Sequence, residues 1–328
     1  MDLSIIIPVY NCTSYLLKGF EALKPLYSST ISFEIIYVND GSTDNSLQIL
    51  QQLEANNQYV KIVNQENKGA AAARNLGVKN SLGDYLLFLD ADDALNIEAI
   101  IEFLYFSKFN DLDLCSFRIE LFDAKLNSIG VRALHPIPYE KIITGREALI
   151  QGFQPSSACV FIYEKSFLID NKLCFQEGIT QEDVEFTARI LMYAQKVYFS
   201  LKVGYYYFKH SGSVSEPNTQ KNIEKYMIDA IQVANLIKLN EKNEMLMNSK
   251  ALYIANEKNY NSVVWNLLWR FFSNPNEVSL AFKIKCIEEL KNKKLYPIKG
   301  ALKTNFQRFT RVFLNQKFLL TALFKIRN

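Results

Sequence analysis

The apolar residues of the first 123 positions alternate between short continuous runs and stripes at helical spacing. Continuous apolar runs are typical of buried strands. They predict strands at Leu3–Val9, Glu34–Val38, Val60–Val63, Tyr85–Leu89 and Leu112–Phe122. Helical patterns fall between them, over Ser42–Glu54, Ala70–Val78 and Asn96–Ser107. Strand and helix in alternation predict βαβ units, so we expect an α/β fold with a mostly parallel sheet flanked by helices.

Polar and aromatic residues follow three of the predicted strands directly. Tyr10-Asn11 follows the first, Asn39-Asp40 the second, and Asp90-Ala91-Asp92-Asp93 the fourth. In sheets of this kind, ligands bind beyond the carboxyl ends of the strands. We therefore expect these loops to gather at one edge and to form a cleft lined by acidic and aromatic side chains.

The rest of the chain follows two further patterns. Residues 124–217 are more irregular, with a capping-box sequence at Thr144–Glu147 before a short helix. After Pro217 the apolar residues follow a helical period, which predicts a helical extension. We therefore expect three segments, residues 1–123, 124–217 and 218–328, of which the last is a helical C-terminal region.

Each group of polar residues has a functional and a purely structural interpretation. Asp90, Asp92 and Asp93 could supply the oxygen ligands that Mg²⁺ or Mn²⁺ prefers, or could form a solvated turn that caps a helix. Asp40 could accept a hydrogen bond from a nucleobase, beside a helix-capping turn. Glu182-Asp183 could contain a general base, or could only compensate a helix dipole. A lone histidine such as His210 is usually structural.

Composition excludes several classes of protein. Apolar residues make up 49% of the chain and charged residues 22%, which excludes collagenous and disordered chains. The five cysteines are dispersed and form no C-x-x-C pair, as expected in a reducing compartment. We see no signal-peptide pattern and no apolar run long enough to span a membrane, so we expect a cytoplasmic protein. The glycine spacing matches neither a dinucleotide fold nor a P-loop, and no G-x-S-x-G is present.

Taken in order, several segments resemble the family 2 glycosyltransferases, a large inverting group with the GT-A fold. The segments that carry the resemblance are SIIIPVYN (4–11), VNDGSTD (38–44), ENKGAAAARNLG (66–77), GDYLLFLDADD (83–93), QED (181–183) and HSGSVS (210–215). The resemblance covers about residues 1–215. It implies that residues 1–123 are the nucleotide-sugar-binding half of one GT-A domain and that residues 124–217 are its acceptor-side half. It implies transfer of a sugar from a nucleotide-diphosphate donor, expected to be a UDP-sugar, to a hydroxyl of a glycan or lipid-linked glycan in cell-surface polysaccharide synthesis.

The resemblance also implies a role for each matching residue. The donor-binding residues would be Pro8, Tyr10, Asp40, Arg74, Asp90, Ala91 and Asp92. Tyr10 would lie against the base, Asp40 would accept from uracil N3–H, Arg74 would lie near the phosphates, and Asp90 would contact the ribose. Asp92 and His210 would hold Mn²⁺ or Mg²⁺. Asp183 would be the catalytic base.

Glu182 would lie near the acceptor. Many relatives have a tryptophan in the segment that reads Ser157–Phe161 here, which leaves the acceptor open. Two alternatives come from other classes, a nucleotidyltransferase and a sugar-nucleotide-binding partner protein without turnover. Intact acidic residues disfavour the second, and a missing Gly-rich phosphate loop disfavours the first.

The net charge of +3 conceals a basic C-terminal region. Residues 283–328 contain 12 Lys and Arg but only 2 acidic residues, with bulky apolar residues between them. This pattern predicts either a helix packed on the catalytic domain or an interfacial helix on the anionic inner face of a membrane. Because the basic charge is local, we expect no nucleic-acid partner. The sequence does not determine an oligomeric state.

Overall fold

The structure, a computed structural model, describes residues 1–209, 219–240 and 243–316. These residues form two compact units, each continuous in space but not in sequence. The first unit comprises the described residues of Met1–Ala148, Ser157–Gly178 and Ile190–His210. The second comprises those of Leu149–Ser156, Ile179–Arg189 and Ser211–Asn328. The assignment of donor and acceptor halves to residues 1–123 and 124–217 stays a prediction.

Within the described residues, ten strands of the first unit form one sheet. The strands are β1 (Leu3–Val9), β2 (Phe33–Asp40), β3 (Val60–Gln65), β4 (Tyr85–Phe88), β5 (Ala94–Leu95), β6 (Leu114–Phe122), β7 (Ser128–Val131), β8 (Ile142–Ile143), β9 (Phe161–Glu164) and β10 (Val197–Phe208). Their order is β3-β2-β1-β4-β9-β6-β10-β5, with β7 beside β6 and β8 beside β10. The strands β3, β2, β1 and β4 are parallel neighbours, as the sequence predicts.

The other half of the sheet is mixed. β6 and β10 are parallel, whereas β9 is antiparallel to both β4 and β6. The short strands β5, β7 and β8 also pair antiparallel. The apolar pattern does not reveal these antiparallel partners because Phe161–Glu164 is as apolar as a parallel core strand and differs only in direction.

Helices flank this sheet and connect its parallel strands. Those up to residue 193 are α1 (Thr13–Leu23), α2 (Ser46–Asn56), α3 (Ala70–Asn80), α4 (Ile97–Asn110), α5 (Gly145–Gln151), α6 (Lys165–Asp170) and α7 (Glu182–Tyr193). The predicted capping box is present at α5, where Thr144 N donates to Glu147 Oε2 and Glu147 N donates to Thr144 Oγ1. α2 begins later than predicted, at Ser46, because the residues before it form a loop that bonds to the end of β1.

The C-terminal part of the second unit is helical, as predicted. Its helices are α8 (Gln220–Leu239), α9 (Glu244–Met247), α10 (Lys250–Ser273), α11 (Leu280–Asn292) and α12 (Asn305–Leu314). Apolar residues of α8 and α10, among them Ile231, Ile237, Leu268 and Phe271, are fully buried in a core of their own. Among the described residues, no helix is long and apolar enough to cross a membrane.

The close approach of α3 to β1 depends on a glycine. A Cβ atom added at Gly77 would overlap the side chain of Ile6, a fully buried residue of β1. Because neither α3 nor β1 can move without disturbing the sheet, we expect Gly77→Ala to lower the free energy of unfolding by about 1–3 kcal/mol. Urea denaturation followed by circular dichroism measures this change.

The matched control is Gly19→Ala, since Gly19 also lies within a helix. The nearest atom to an added Cβ there is the carbonyl oxygen of Ala91 at 3.4 Å, an ordinary contact. Alanine favours the helix by about 1 kcal/mol over glycine, so this protein should be at least as stable as the wild type. Equal stability of the Gly77→Ala and Gly19→Ala proteins would contradict the tight packing of α3 on β1.

Candidate active site

The carboxyl ends of β1, β2 and β4 lie side by side. Val9 at the end of β1 is paired with Asn39 of β2, and Ile6 of β1 is paired with Phe88 at the end of β4. The residues that follow these strands therefore meet at one edge of the sheet, as the sequence predicts. Tyr10 is 48% exposed there, and Pro8, paired with Val38, is half-buried.

Asn11 holds the loop after β1 against the loop after β2. It adopts a positive φ of 54°, a conformation that asparagine tolerates better than most residues. Its side-chain Oδ1 accepts from the backbone N–H groups of Thr43 at 2.8 Å and Asp44 at 3.3 Å. Its own N–H donates to Ser42 Oγ. Ser42, Thr43 and Asp44, which the sequence could assign to a helix cap, therefore link the loop after β2 to the loop after β1.

Asp40 has structural partners on both carboxylate oxygens. Oδ1 accepts from Gln65 Nε2 at 2.6 Å and from Lys68 N at 2.8 Å, while Oδ2 accepts from Gly69 N at 2.8 Å. The residue is only 3% exposed. A carboxylate offers about four acceptor positions, so one remains beyond these three bonds. Asp40 thus holds the loop that leads into α3 and keeps capacity for one further donor.

Arg74 and Asp90 form an ion pair at the same edge. Arg74 Nη2 donates to Asp90 Oδ1 at 2.8 Å, and the guanidinium lies 5.4 Å from the centre of the Phe175 ring. Arg74 is buried, whereas the Asp90 side chain is 39% exposed. The pair therefore presents its acidic partner to the surface and keeps the arginine in place beneath it.

Asp93 is bound to the end of β10. Its Oδ2 accepts from the hydroxyl of Tyr205 at 2.6 Å, and its Oδ1 accepts from the N–H of Phe208 at 2.9 Å. The same hydroxyl accepts from Asp90 N at 3.4 Å. Burial, followed by the neighbouring charges of Asp90 and Asp92, raises the pKa of the Asp93 carboxyl to about 8. Asp93 is therefore a structural member of the D-A-D-D segment.

Asp92 and Ala91 complete this segment. Both are half-buried, and a Cβ added at Gly19 of α1 would contact the Ala91 carbonyl at 3.4 Å. Burial raises the pKa of the Cys12 thiol, and the charges of Asp92, Asp44 and Asp90 raise it further. In residues 1–209, 219–240 and 243–316, no three His, Cys, Asp or Glu side chains are arranged to hold a metal by themselves.

Glu182 and Asp183 open α7 and belong to the second unit. The turn before them is fixed by α8. Thr180 donates to Asp229 Oδ2 through its N–H at 2.8 Å and its hydroxyl at 3.1 Å. Gln181, at a positive φ of 63°, donates to the Tyr226 carbonyl. The half-buried Asp183 therefore starts its helix from a turn with a rigid support.

The structure thus brings Pro8, Tyr10, Asp40, Arg74, Asp90, Ala91 and Asp92 to one edge of the first unit, and sets Glu182 and Asp183 at a helix start of the second. The proposed metal ligand His210 lies outside the described residues. Sequence reasoning missed Asn11, Tyr205 and Asp229. Asn11 lies inside a quoted motif, but nothing local in the sequence pairs Tyr205 with Asp93 or Asp229 with Thr180, because the partners are 112 and 49 residues apart.

The chain is similar in sequence to known glycosyltransferases. The model of Glycosyl transferase family 2 matches residues 4–166. YibD of Escherichia coli K12, named as an uncharacterized glycosyltransferase, is 28% identical over 73% of this chain and 71% of its own. The poly(ribitol-phosphate) beta-glucosyltransferase of Bacillus spizizenii is 30% identical over 63% of this chain but only 32% of its own.

The fold also matches a solved structure. S. aureus TarS 1-349, crystallised in complex with UDP-GlcNAc, superposes with a TM-score of 0.69 and 20% identity, over 100% of this chain and 92% of that one. This likeness confirms the predicted GT-A type of α/β fold with a helical C-terminal region. The family model and the named relatives show that residues 4–166 of the chain form a glycosyl transferase family 2 domain and that the protein is a glycosyltransferase.

Proposed function

We propose that this enzyme is an inverting transferase that moves a sugar from a UDP-sugar to a hydroxyl of a cell-surface glycan. The observation that carries the proposal is the meeting of Tyr10, Asp40 and the Asp90–Asp92 segment at the carboxyl edge of β1, β2 and β4. This is the edge at which sheets of this kind bind ligands. The family match favours sugar transfer over nucleotidyl transfer and over binding without turnover.

The donor nucleotide fits the first unit. The exposed ring of Tyr10 offers a face for the base, next to the backbone at Pro8. The remaining acceptor position of Asp40 suits the N3–H of uracil, because a carboxylate accepts but does not donate. Asp90 presents an exposed carboxylate that can accept from ribose hydroxyls, and its ion pair with Arg74 fixes its orientation. Arg74 also supplies positive charge beneath the place of the diphosphate.

A divalent cation fits the donor set at Asp92. Mg²⁺ and Mn²⁺ prefer oxygen ligands, and Mg²⁺ is commonly held by one or two carboxylates together with substrate phosphates. Such a site does not need three protein ligands, which agrees with the absence of a three-residue cluster in the described part of the chain. Asp92 would hold the cation, with His210 as a second candidate. When bound, the cation neutralises charge on the departing diphosphate.

The proposed base is Asp183. Its carboxylate takes the proton from the acceptor hydroxyl as that oxygen attacks the anomeric carbon from the face opposite the leaving diphosphate. Attack from the opposite face inverts the anomeric centre, so a single protein carboxylate suffices, in contrast to the paired carboxylates of a glycosidase. The Thr180–Asp229 bonds position Asp183 by fixing the start of α7. Glu182, beside it, would contact the acceptor.

The acceptor is proposed as a hydroxyl-rich polymer or a lipid-linked glycan. One relative is named for a poly(ribitol-phosphate) acceptor, which is a polymer of this class. The segment that carries a tryptophan in many relatives is a buried 3₁₀ turn here, Ala158–Val160, introduced by a bond from Cys159 N to Ser157 Oγ. Ala158, Cys159 and Val160 therefore offer no large exposed side chain where relatives have the tryptophan. We expect the acceptor contacts to come from other residues.

Asp183→Asn is expected to lower the rate of transfer by roughly 10²–10⁴-fold, because the amide cannot take the acceptor proton. Binding of the donor should remain within about twofold of the wild type. UDP release measures the rate, and isothermal titration with a UDP-sugar measures binding. Glu182→Gln is the matched control, since it changes the adjacent carboxylate in the same way. It should raise the KM for the acceptor more than it lowers kcat. Wild-type turnover of the Asp183→Asn protein would remove Asp183 from this role.

Asp92→Ala is expected to abolish the dependence of UDP binding on Mn²⁺, because the alanine removes a hard oxygen ligand. Titration of UDP into the protein with Mn²⁺ and with EDTA measures this difference. Asp123→Ala is the matched control, since Asp123 is, like Asp92, a half-buried aspartate, and it lies in the hairpin after β6. His210→Ala should weaken the metal dependence less than Asp92→Ala does. Full transfer activity in excess EDTA would contradict the metal site and leave the base assignment intact.

A further inference from the structure

The helix α12 buries two polar residues. Gln307 and Thr310 lie on its inward side together with Leu314. Both bond to α10, where Ser262 Oγ donates to Gln307 Oε1 and Trp265 Nε1 donates to Thr310 Oγ1 at 2.9 Å. Gln307 also completes a capping box with Thr304. A surface helix normally packs through its apolar stripe alone, so the inward side of α12 is unusually polar.

The apolar side of α12 is consequently exposed. Phe309 is 82% exposed and Val312 66% exposed, and Phe306 lies beside them. Their neighbours on α10 are also aromatic. Phe306 lies 5.1 Å from the ring of Trp269, and Phe313 lies 5.5 Å from Phe272. We call Trp269, Phe272, Phe306, Phe309, Val312 and Phe313 the α12 patch. Phe306, Phe309 and Val312 are its exposed members, and the other three are half-buried. Exposed apolar side chains grouped in this way mark a surface for interaction.

α12 and the segment that leads into it carry only positive charges in the sequence. Residues 290–316 contain seven Lys and Arg and no Asp or Glu. Arg308 and Arg311 lie on α12 itself, and Arg311 donates to the carbonyl of Gly300 at 2.6 Å, which joins the helix to the preceding loop. That loop borders a cavity of about 290 Å³ whose lining includes Lys291, Lys294 and Lys299. Aromatic residues beside dense positive charge are characteristic of interfacial helices.

The positive charge beside the α12 patch determines which kind of partner can bind there. A second copy of the chain, joined symmetrically through this patch, would bring the same cations against one another. Residues 317–328 carry three further Lys and Arg and no acid, so they do not neutralise these cations. An anionic lipid surface complements the cations and also solvates the aromatic rings. We propose that the α12 patch docks on the surface of an anionic membrane, with Phe309 and Val312 entering the headgroup region.

The experiment is flotation of the full-length protein with vesicles of phosphatidylglycerol and phosphatidylcholine, and with phosphatidylcholine alone. Binding should require the anionic lipid and should fall as salt rises, because salt screens the attraction. Phe309→Glu should weaken binding roughly tenfold or more, since it replaces an inserted apolar ring. Phe109→Glu is the matched control, because Phe109 is 87% exposed on the first unit. It should bind like the wild type.

A Lys294→Gln, Lys299→Gln protein tests the charge. Each cation near an anionic surface strengthens binding about fivefold. The double substitution should therefore weaken vesicle binding by the product of the two factors. Equal flotation of the Phe309→Glu and Phe109→Glu proteins, or no preference for anionic lipid, overturns the proposal. Inorganic phosphate that releases the protein better than chloride of equal ionic strength would instead identify a free-phosphate site.

Two measurements exclude the other occupants of the α12 patch. Sedimentation of the wild type and Phe309→Glu should give one oligomeric state, and a dimer lost on substitution would identify a second copy. Thermal unfolding of Phe309→Glu should match the wild type because Phe309 is already exposed. A large fall in Tm without loss of flotation would mean that the chain itself covers the patch. Each of those results contradicts membrane docking.

Discussion

The parallel pairing of β1 with β2 on one side and β4 on the other is the constraint on which the candidate site depends. It requires a central strand buried on both faces, and Leu3–Val9 satisfies this with an almost unbroken apolar run. Parallel neighbouring strands end at the same edge of the sheet. The strand pairing alone therefore brings the three loops together, before any contact between the loops themselves. The crossovers between them need close helix packing, which Gly77 permits at α3. The chemistry at the edge therefore rests on packing behind it.

Some of the acidic residues at this edge hold the structure together, and others remain available to bind a ligand. Asp93 is occupied by Tyr205 and Phe208, and the cost of burying it appears in its raised pKa. Asp40 is largely occupied by the loop before α3 and keeps one acceptor position. Asp90 is held by Arg74 but remains exposed. A cluster of acids that repel one another is thus held in place by individual donors, which leaves the exposed members oriented for a ligand.

The second unit combines two proposed tasks in one set of helices. α8 supports the turn before Asp183 through Asp229, and α10 supports α12 through Trp265 and Ser262. A membrane surface on α12 and a base on α7 would together suit an acceptor that is attached to lipid. The two proposals rest on different residues, so either can fail without the other.

The sequence by itself determined the parallel part of the sheet, the helical C-terminal region and the residues of the candidate site. These features have short periods or ordered motifs, and burial of apolar runs fixes them locally. Tertiary structure alone decided the direction of β9, the use of Asp93 by Tyr205, and the support of Asp183 by Asp229, because each joins residues far apart in the chain. It also decided the orientation of α12. The sequence leaves open whether this helix packs on the protein or lies on a membrane. In the structure, hydrogen bonds from Trp265 and Ser262 hold Thr310 and Gln307 inside and leave Phe309 and Val312 exposed.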